Sequence, residues 1–122
     1  MQISEAESAV MDILWQRGTV HADDVIAALA QTRAWQEPTI KTLLNRLLKK
    51  GALRADRDGR RYRYTAVLRR EDWLSQESEG LLDRLFGGRV APLVAHFSEH
   101  SKLTPRDIAE LKRLIEDLDN AT

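Results

Sequence analysis

The chain has 122 residues, of which 43% are hydrophobic and 31% are charged, and it contains no cysteine. This composition is typical of a folded globular protein with one or two small domains. The lack of cysteine excludes disulfide scaffolds, thiol catalysis and thiolate metal sites. No apolar run is long enough to span a bilayer, and the amino terminus lacks a signal-peptide pattern. We therefore expect a cytoplasmic protein with no direct membrane insertion.

The net charge is zero, but the charged residues are unevenly distributed along the chain. Residues 1–40 carry two basic and six acidic side chains, and residues 67–122 carry eight basic and eleven acidic ones. Residues 41–66 instead carry nine basic side chains and only two acidic ones. A positive field concentrated in one short segment is typical of a surface that meets nucleic-acid phosphates.

Three short helices are predicted in the first part of the chain. The first begins at the capping box formed by residues 4–7 (SEAE) and ends before Gly18. The second extends from about Ala22 to Ala30. The third has Pro38 in its first turn and Gly51 as its C-terminal cap. Its apolar stripe consists of Ile40, Leu43, Leu44, Leu47 and Leu48.

A β-hairpin is predicted after the third helix, because the apolar period changes from 3.6 to 2. Leu53–Arg57 and Arg60–Val67 form its strands, and Asp58-Gly59 suits a type I′ turn. A basic hairpin behind three short helices is the wing of a winged helix. We therefore expect residues 1–67 to form a winged helix-turn-helix DNA-binding domain.

Residues 68–122 are predicted to form a second, helical domain. Its helices extend from about Arg70 to Phe86, from Val90 to Phe97, and onward from the cap at Thr104. These helices have more apolar face than they can bury in one another, so we expect a homodimer. The predicted elements together give a mainly α fold with a small β-hairpin. The predicted dimerisation residues are Trp73, Leu81, Leu82, Leu85, Phe86, Leu93, Phe97, Leu111, Leu114 and Leu118.

The polar face of the third helix and the arginines of the hairpin form the candidate site for double-stranded DNA. Short hydroxyl and amide side chains allow the backbone to approach base edges, and lysine and arginine reach phosphates or guanine acceptors. Wing arginines suit the flanking backbone or a minor groove. The candidate DNA-binding residues are Thr39, Lys41, Thr42, Asn45, Arg46, Lys49, Arg57, Arg60, Arg61 and Arg63. The alternative is that the polar face of the third helix is exposed to solvent and binds nothing.

Several motifs together resemble the penicillinase and methicillin-resistance repressor family. They are Trp35, residues 39–47 (TIKTLLNRL), Lys50-Gly51, residues 81–88 (LLDRLFGG) and residues 93–97 (LVAHF). The resemblance extends from Ile3 to about Leu118. It implies a dimeric winged-helix repressor bound to a dyad-symmetric promoter operator. It places Thr39, Lys41, Thr42 and Arg46 on the DNA-contacting helix.

The resemblance also implies how such a repressor is released from its operator. In the family, a membrane-bound sensor metalloprotease that responds to β-lactam or cell-envelope stress typically leads to cleavage in the dimerisation domain. The cleaved Asn-Phe bond of the penicillinase repressors aligns here with His96-Phe97, which is the candidate cleavage site. Family members often have Ser-Pro-Lys where this chain has Gln36-Glu37-Pro38, so a basic contact and a good helix cap are lost here.

Other functions remain as alternatives. His96 and His100 lie four residues apart on a predicted helix and are weak metal candidates, with Glu99 or His21 as further ligands, although packing is the commoner role of such a pair. A ligand- or metal-responsive regulator without proteolysis, or a winged helix that binds protein, would also fit. We expect no cofactor and no enzymatic activity, because the sequence contains no recognisable catalytic motif.

Overall fold

The computed structural model describes residues 1–121. The chain divides into two compact units, the first from Met1 to Leu74 and the second from Ser75 onward. The domain boundary that the sequence predicts after Val67 stays a prediction. The predicted second domain, residues 68–122, includes one residue, 122, that lies outside the described part. The elements in chain order are α1 (Glu5–Arg17), β1 (Val20–His21), α2 (Ala22–Arg33), α3 (Glu37–Lys50), β2 (Leu53–Asp58), β3 (Arg61–Ala66), α4 (Arg70–Phe86), α5 (Val90–Glu99) and α6 (Pro105–Asn120).

The first three helices form where the sequence predicts them. The Ser4 hydroxyl accepts a hydrogen bond from the Glu7 amide at 3.0 Å, and the Glu7 carboxylate accepts one from the Ser4 amide at 2.8 Å, which confirms the capping box. The second helix extends three residues further than predicted and ends at Arg33, and its C-cap residue Ala34 is in the left-handed region. Gly51 caps α3 in the same region, with φ 78°.

The first unit also contains a three-stranded antiparallel sheet of order β1-β3-β2. The sequence did not predict its first strand, β1, which lies between α1 and α2. β1 is too short to show a period of two, and it pairs Val20 with Tyr64. The predicted turn is wrong by one residue, because Asp58 pairs with Arg61 and the loop is therefore Gly59-Arg60. In this loop Gly59 alone has a positive φ, 64°, as the first position of a type II′ turn requires.

The core of the first unit lies between α1, α2, α3 and the sheet. The apolar stripe of α3 is buried as predicted, except for Leu48, which is half-buried. The fully buried apolar side chains include Met11, Leu14, Val25, Ile40 and Leu47. Packing of this kind fixes one face of α3 against the domain and leaves its other face outward.

The second unit contains the greater part of α4 together with α5 and α6. Gly87 and Gly88 end α4 with φ of 58° and 76°, and α5 extends two residues beyond the predicted end. Thr104 and Asp107 form the capping box of α6, as the sequence predicts. No side chain of α4, α5 or α6 is buried within the described chain. Over residues 1–121, no helix has the length and apolarity that crossing a membrane would require.

Candidate nucleic-acid interface

Helix α3 presents a polar face to solvent because its opposite face is held in the core. Ile40, Leu43 and Leu47 are at most 5% exposed. A helical period of 3.6 therefore turns the residues between them outward. The six predicted DNA-binding residues of α3 are all exposed; they are Thr39, Lys41, Thr42, Asn45, Arg46 and Lys49. Two of them have partners within α3, since the Thr42 hydroxyl donates to the Pro38 carbonyl at 2.9 Å and Lys41 pairs with Glu37.

The first turn of α3 lacks a side-chain cap. Gln36 occupies the N-cap position and makes no capping hydrogen bond, as the sequence predicts from the missing serine. The first turn of α3, which holds Glu37, therefore has no N-cap side chain to accept hydrogen bonds from its amides.

The wing is the hairpin formed by β2 and β3, residues 53–66. Its four predicted DNA-binding arginines, Arg57, Arg60, Arg61 and Arg63, are all exposed. Arg60 lies in the turn at the tip rather than in a strand, because of the one-residue shift of the loop. The guanidinium of Arg57 lies 5.9 Å from the ring centroid of Tyr62 and donates to the Gly59 carbonyl at 3.2 Å. These two contacts hold Arg57 at the tip of the wing.

A cleft of about 230 Å³ separates α3 from the wing. It is lined by His21, Ala22, Asp23, Lys41, Arg61, Tyr62 and Tyr64. Both basic side chains in this cleft have acidic partners, with Lys41 Nζ 2.9 Å from Glu37 Oε1 and Arg61 Nη1 3.6 Å from Asp23 Oδ2. These pairs are exposed and weak, so an incoming phosphate could displace them.

The tip of the wing is joined to the start of α2 through a histidine. The Nε2 atom of His21 lies 2.9 Å from Asp58 Oδ2, and its Nδ1 atom lies 3.8 Å from Asp24 Oδ2. The hydrogen bond from His21, together with the charge of Arg63, lowers the pKa of the Asp58 carboxyl. His21, which the sequence offered as a metal candidate, therefore serves here to hold the wing.

Sequence reasoning missed the acidic partners of the basic residues. Glu37 and Lys41 lie four residues apart on a helix, a spacing that would have indicated their pairing. No local pattern indicates the pair of Asp23 and Arg61, since they lie on different elements. Lys50 belongs to the positive segment in the sequence, but it is bonded to the buried Glu7 at 2.6 Å.

The predicted dimerisation residues are half-buried or exposed to solvent in the single chain. Leu82, Phe86, Leu93 and Leu111 are half-buried. Those with exposed side chains are Leu81, Leu85, Phe97, Leu114 and Leu118. Trp73 instead lies in the first unit, where its ring is 5.2 Å from that of Trp15. Trp15 in turn donates from Nε1 to the Leu68 carbonyl at 2.9 Å. The contact between Trp73 and Trp15 is therefore a packing contact within the first unit.

The predicted cleavage bond and the histidine pair lie together on α5. The ring centroids of His96 and His100 are 4.3 Å apart, and the Nδ1 atom of His100 is 2.8 Å from the His96 carbonyl oxygen. Within residues 1–121, no three histidine, cysteine, aspartate or glutamate side chains come together as a metal site would require. Phe97 is 40% exposed, and the bond before it lies within the helix.

Three packed helices, a basic hairpin behind them and an outward polar face on the third helix define a winged helix-turn-helix protein. The particular family follows from sequence comparison. A family model described as "Penicillinase repressor" matches residues 3–117, and the chain belongs to this family. The resemblance seen in the motifs is thereby confirmed.

Characterised relatives match over nearly their whole length. The penicillinase repressor of Bacillus licheniformis is 35% identical over 119 residues, which is 98% of this chain and 93% of the relative. The methicillin resistance regulatory protein MecI of Staphylococcus aureus is 29% identical over 114 residues, or 93% of each chain. Because the family and these relatives are repressors or regulators by name, the prediction of a regulator rather than an enzyme is confirmed.

Solved structures resemble the first part of the chain. The DNA-binding domain of the repressor BlaI is 41% identical with a TM-score of 0.55, covering 58% of this chain and 87% of that one. The monomeric form of Bacillus licheniformis BlaI in complex with the blaP half-operator is 40% identical with a TM-score of 0.53, covering 59% of this chain and 88% of that one. These likenesses confirm the predicted winged-helix class.

Proposed function

We propose that this protein is a DNA-binding transcriptional repressor whose helix α3 binds the major groove of an operator. The observation that carries the proposal is the outward face of α3 beside the wing, where all ten predicted contact residues are exposed. The BlaI structure on a half-operator supports it, because that relative shares this fold at 40% identity. A protein that binds promoter DNA works where the DNA is, which we take to be the cytoplasm.

The two surfaces have different tasks in this proposal. Thr39, Thr42 and Asn45 are short enough for α3 to approach base edges, whereas Arg46 and Lys49 reach guanine acceptors or phosphates. The wing arginines contact the flanking backbone or the minor groove, where positive charge is favoured. Sequence specificity therefore comes mainly from α3, and the wing contributes affinity that depends on salt.

The proposal is tested by capturing fragmented genomic DNA of the source organism with the purified full chain and sequencing what is bound. The control is the double variant Lys41→Ala/Arg46→Ala, which removes two positive charges from α3. We expect the wild type alone to enrich a few dyad-symmetric promoter sites. Equal enrichment by the variant, or no enrichment by either, would contradict a sequence-reading role for α3 and favour a winged helix that binds protein.

We further propose that the protein acts as a homodimer through its second unit. Leu114, Ile115 and Leu118 on α6 are each 58% or more exposed in the single chain, and Leu85 on α4 is 66% exposed. Exposing so many large apolar side chains is unfavourable in water, and a second copy of the chain offers the same apolar faces in return. Two linked winged helices then bind two half-sites with much higher avidity than one.

Release by proteolysis is the mode of induction that we propose for this repressor. The partner would be a membrane-bound sensor metalloprotease responding to β-lactam or cell-envelope stress, and the cut would fall between His96 and Phe97. Because this bond lies within α5, the helix must open locally before a protease can bind it as an extended segment. Cleavage there would split the dimerisation unit and remove the avidity of the two half-sites.

Co-expression with the cognate protease and inducer tests this mode directly. We expect a fragment of the size that a cut before Phe97 gives, and no such fragment from a Phe97→Asp variant. An intact band under inducing conditions would contradict proteolytic release and favour release by a bound ligand.

A further inference from the structure

Glu37 is the only acidic residue of α3, and it lies on the first turn of the helix. Its Oε1 atom is 2.9 Å from Lys41 Nζ, and both side chains are more than half exposed. The hydrogen bond from Lys41 to Glu37 and the negative charge of Glu37 hold the pKa of Lys41 above its usual 10.5. The carboxylate therefore neutralises a basic residue of the proposed DNA-binding surface in the free protein.

A carboxylate at this position is unfavourable on most DNA. The N-terminal residues of a recognition helix meet base edges, and a group within 2.9 Å of Lys41 enters the groove with it. There the phosphates of the DNA repel the carboxylate. The ion pair with Lys41 is also broken if the Lys41 ammonium binds a phosphate instead. A negatively charged acceptor left without a partner opposes binding, unless a base supplies a hydrogen-bond donor.

The major-groove edges of the bases differ in whether they can supply that donor. Guanine presents only acceptors, N7 and O6, and thymine presents the O4 acceptor and a methyl group. Adenine presents the N6 amino donor beside the N7 acceptor, which repels a carboxylate. Cytosine presents the N4 amino donor with no acceptor on the same base edge, and only the O6 of its paired guanine lies beside it, whereas the adenine donor lies between two acceptors, its own N7 and thymine O4. Cytosine is therefore the base that best offsets the charge of Glu37.

We propose that Glu37 is a specificity-determining residue that reads a cytosine at one position in each operator half-site. This inference rests on the proposed function, and it assigns a role to one side chain within that site. On other sequences Glu37 opposes binding, so it lowers affinity for non-specific DNA. At the operator the cytosine amino group donates to Glu37, and Lys41 is released to a neighbouring guanine or phosphate.

The test is selection from a DNA library in which the bases of both half-sites are randomised, using the full-length protein. Four proteins are compared: the wild type, Glu37→Gln, Glu37→Ala and Glu71→Gln. Glu71 is a matched control, because it is also an exposed first-turn glutamate in an ion pair, 3.2 Å from Arg69, but it lies on α4. Thermal unfolding of each variant checks that it is folded.

The expected result differs for each variant. The wild type and Glu71→Gln should prefer cytosine at one position per half-site by about fivefold to 100-fold. Glu37→Gln should move this preference to adenine, since a glutamine amide pairs with adenine N6 and N7. Glu37→Ala should leave the position degenerate. Both Glu37 variants should bind non-specific DNA about two- to fivefold more tightly than the wild type does.

Two results would overturn the inference in distinguishable ways. If the wild type selects a defined sequence and both Glu37 variants select the same one, Glu37 reads no base and the inference fails while the proposed function stands. If the folded wild type selects no sequence at all, the proposed function fails, and the inference fails with it.

Discussion

Lys50 in the last turn of α3 is bonded to Glu7 in the first turn of α1, with Nζ 2.6 Å from Oε1. The Glu7 side chain is 2% exposed, whereas that of Lys50 is 39% exposed. Lys50 also donates to the Gln2 carbonyl at 3.1 Å, so it fixes the amino-terminal segment as well. This lysine therefore holds the carboxyl-terminal end of α3 in place through its contacts with Glu7 and Gln2.

Removing Lys50 should destabilise the protein. In Lys50→Met the buried Glu7 carboxylate loses its charged partner, and the free energy of unfolding should fall by about 2 to 3 kcal/mol. The value is at the low end for a buried pair because Lys50 is partly exposed to water. Urea unfolding measures the change, with Lys49→Met as the matched control, since Lys49 makes no ion pair among the described residues. Equal unfolding midpoints for the two variants would contradict the structural role of Lys50.

The Glu7 carboxyl should also make stability depend on pH. Burial alone would raise the pKa of Glu7, but hydrogen bonds from Lys50 and Ser4 outweigh burial and lower it below 4.5. Because the folded-state pKa is the lower one, the stabilisation is fully present above about pH 4.5 and is lost as pH falls through the folded-state value. The wild type should therefore be more stable than Glu7→Gln at pH 7, by a margin that shrinks below pH 4.5. Unfolding both proteins from pH 7 to pH 3 measures that margin, and a margin constant over this range would refute the assignment.

Single substitutions on α3 should weaken operator binding. Arg46→Ala and Lys41→Ala should each reduce affinity by about 1 to 3 kcal/mol if the side chain contacts a base or a well-formed phosphate site. A phosphate contact should also reduce the salt slope by about one unit, whereas a base contact should relax specificity at one position. Fluorescence anisotropy at several salt concentrations separates the two cases. Lys102→Ala, which removes one charge from the loop before α6, serves as the control, and an Arg46→Ala affinity equal to it would exclude Arg46 from the interface.

Features that depend on neighbouring residues in the chain were predictable. The capping box at Ser4 and Glu7 depends on only four consecutive residues, and the buried stripe of α3 follows from the 3.6-residue period of its apolar side chains. Gly51 was predictable as a cap because few other residues adopt a positive φ. Local spacing therefore predicted the helices and the outward face of α3, including its polar residues.

Features that join distant segments were not predictable from those patterns. Glu7 and Lys50 are 43 residues apart, and β1 is recognisable only through its pairing with β3. The hairpin turn was displaced by one residue because Gly59 suits both a type I′ and a type II′ loop. Strand pairing decides between them, since Asp58 lies opposite Arg61 and also bonds to His21 at 2.9 Å.

The apolar stripe of α6 provides the clearest test of the proposed dimer. Ile108, Leu114, Ile115 and Leu118 recur at helical spacing and are all exposed in the single chain. Ala109 is exposed too, but it lies on the opposite side of the helix from the centre of this stripe. The two positions allow the same charge to be added to either face of one helix.

Leu114→Asp should dissociate the dimer, because it places an unpaired carboxylate in an apolar interface. A penalty of roughly 3 kcal/mol would raise the dimer dissociation constant about 150-fold. Sedimentation equilibrium measures this constant, and Ala109→Asp should leave it within a few-fold of the wild type. The winged helix should stay folded in both variants, since its core lies in residues 1–74. A Leu114→Asp protein that sediments as a dimer would place the interface elsewhere, whereas dissociation by both variants would show an effect of charge rather than of the stripe.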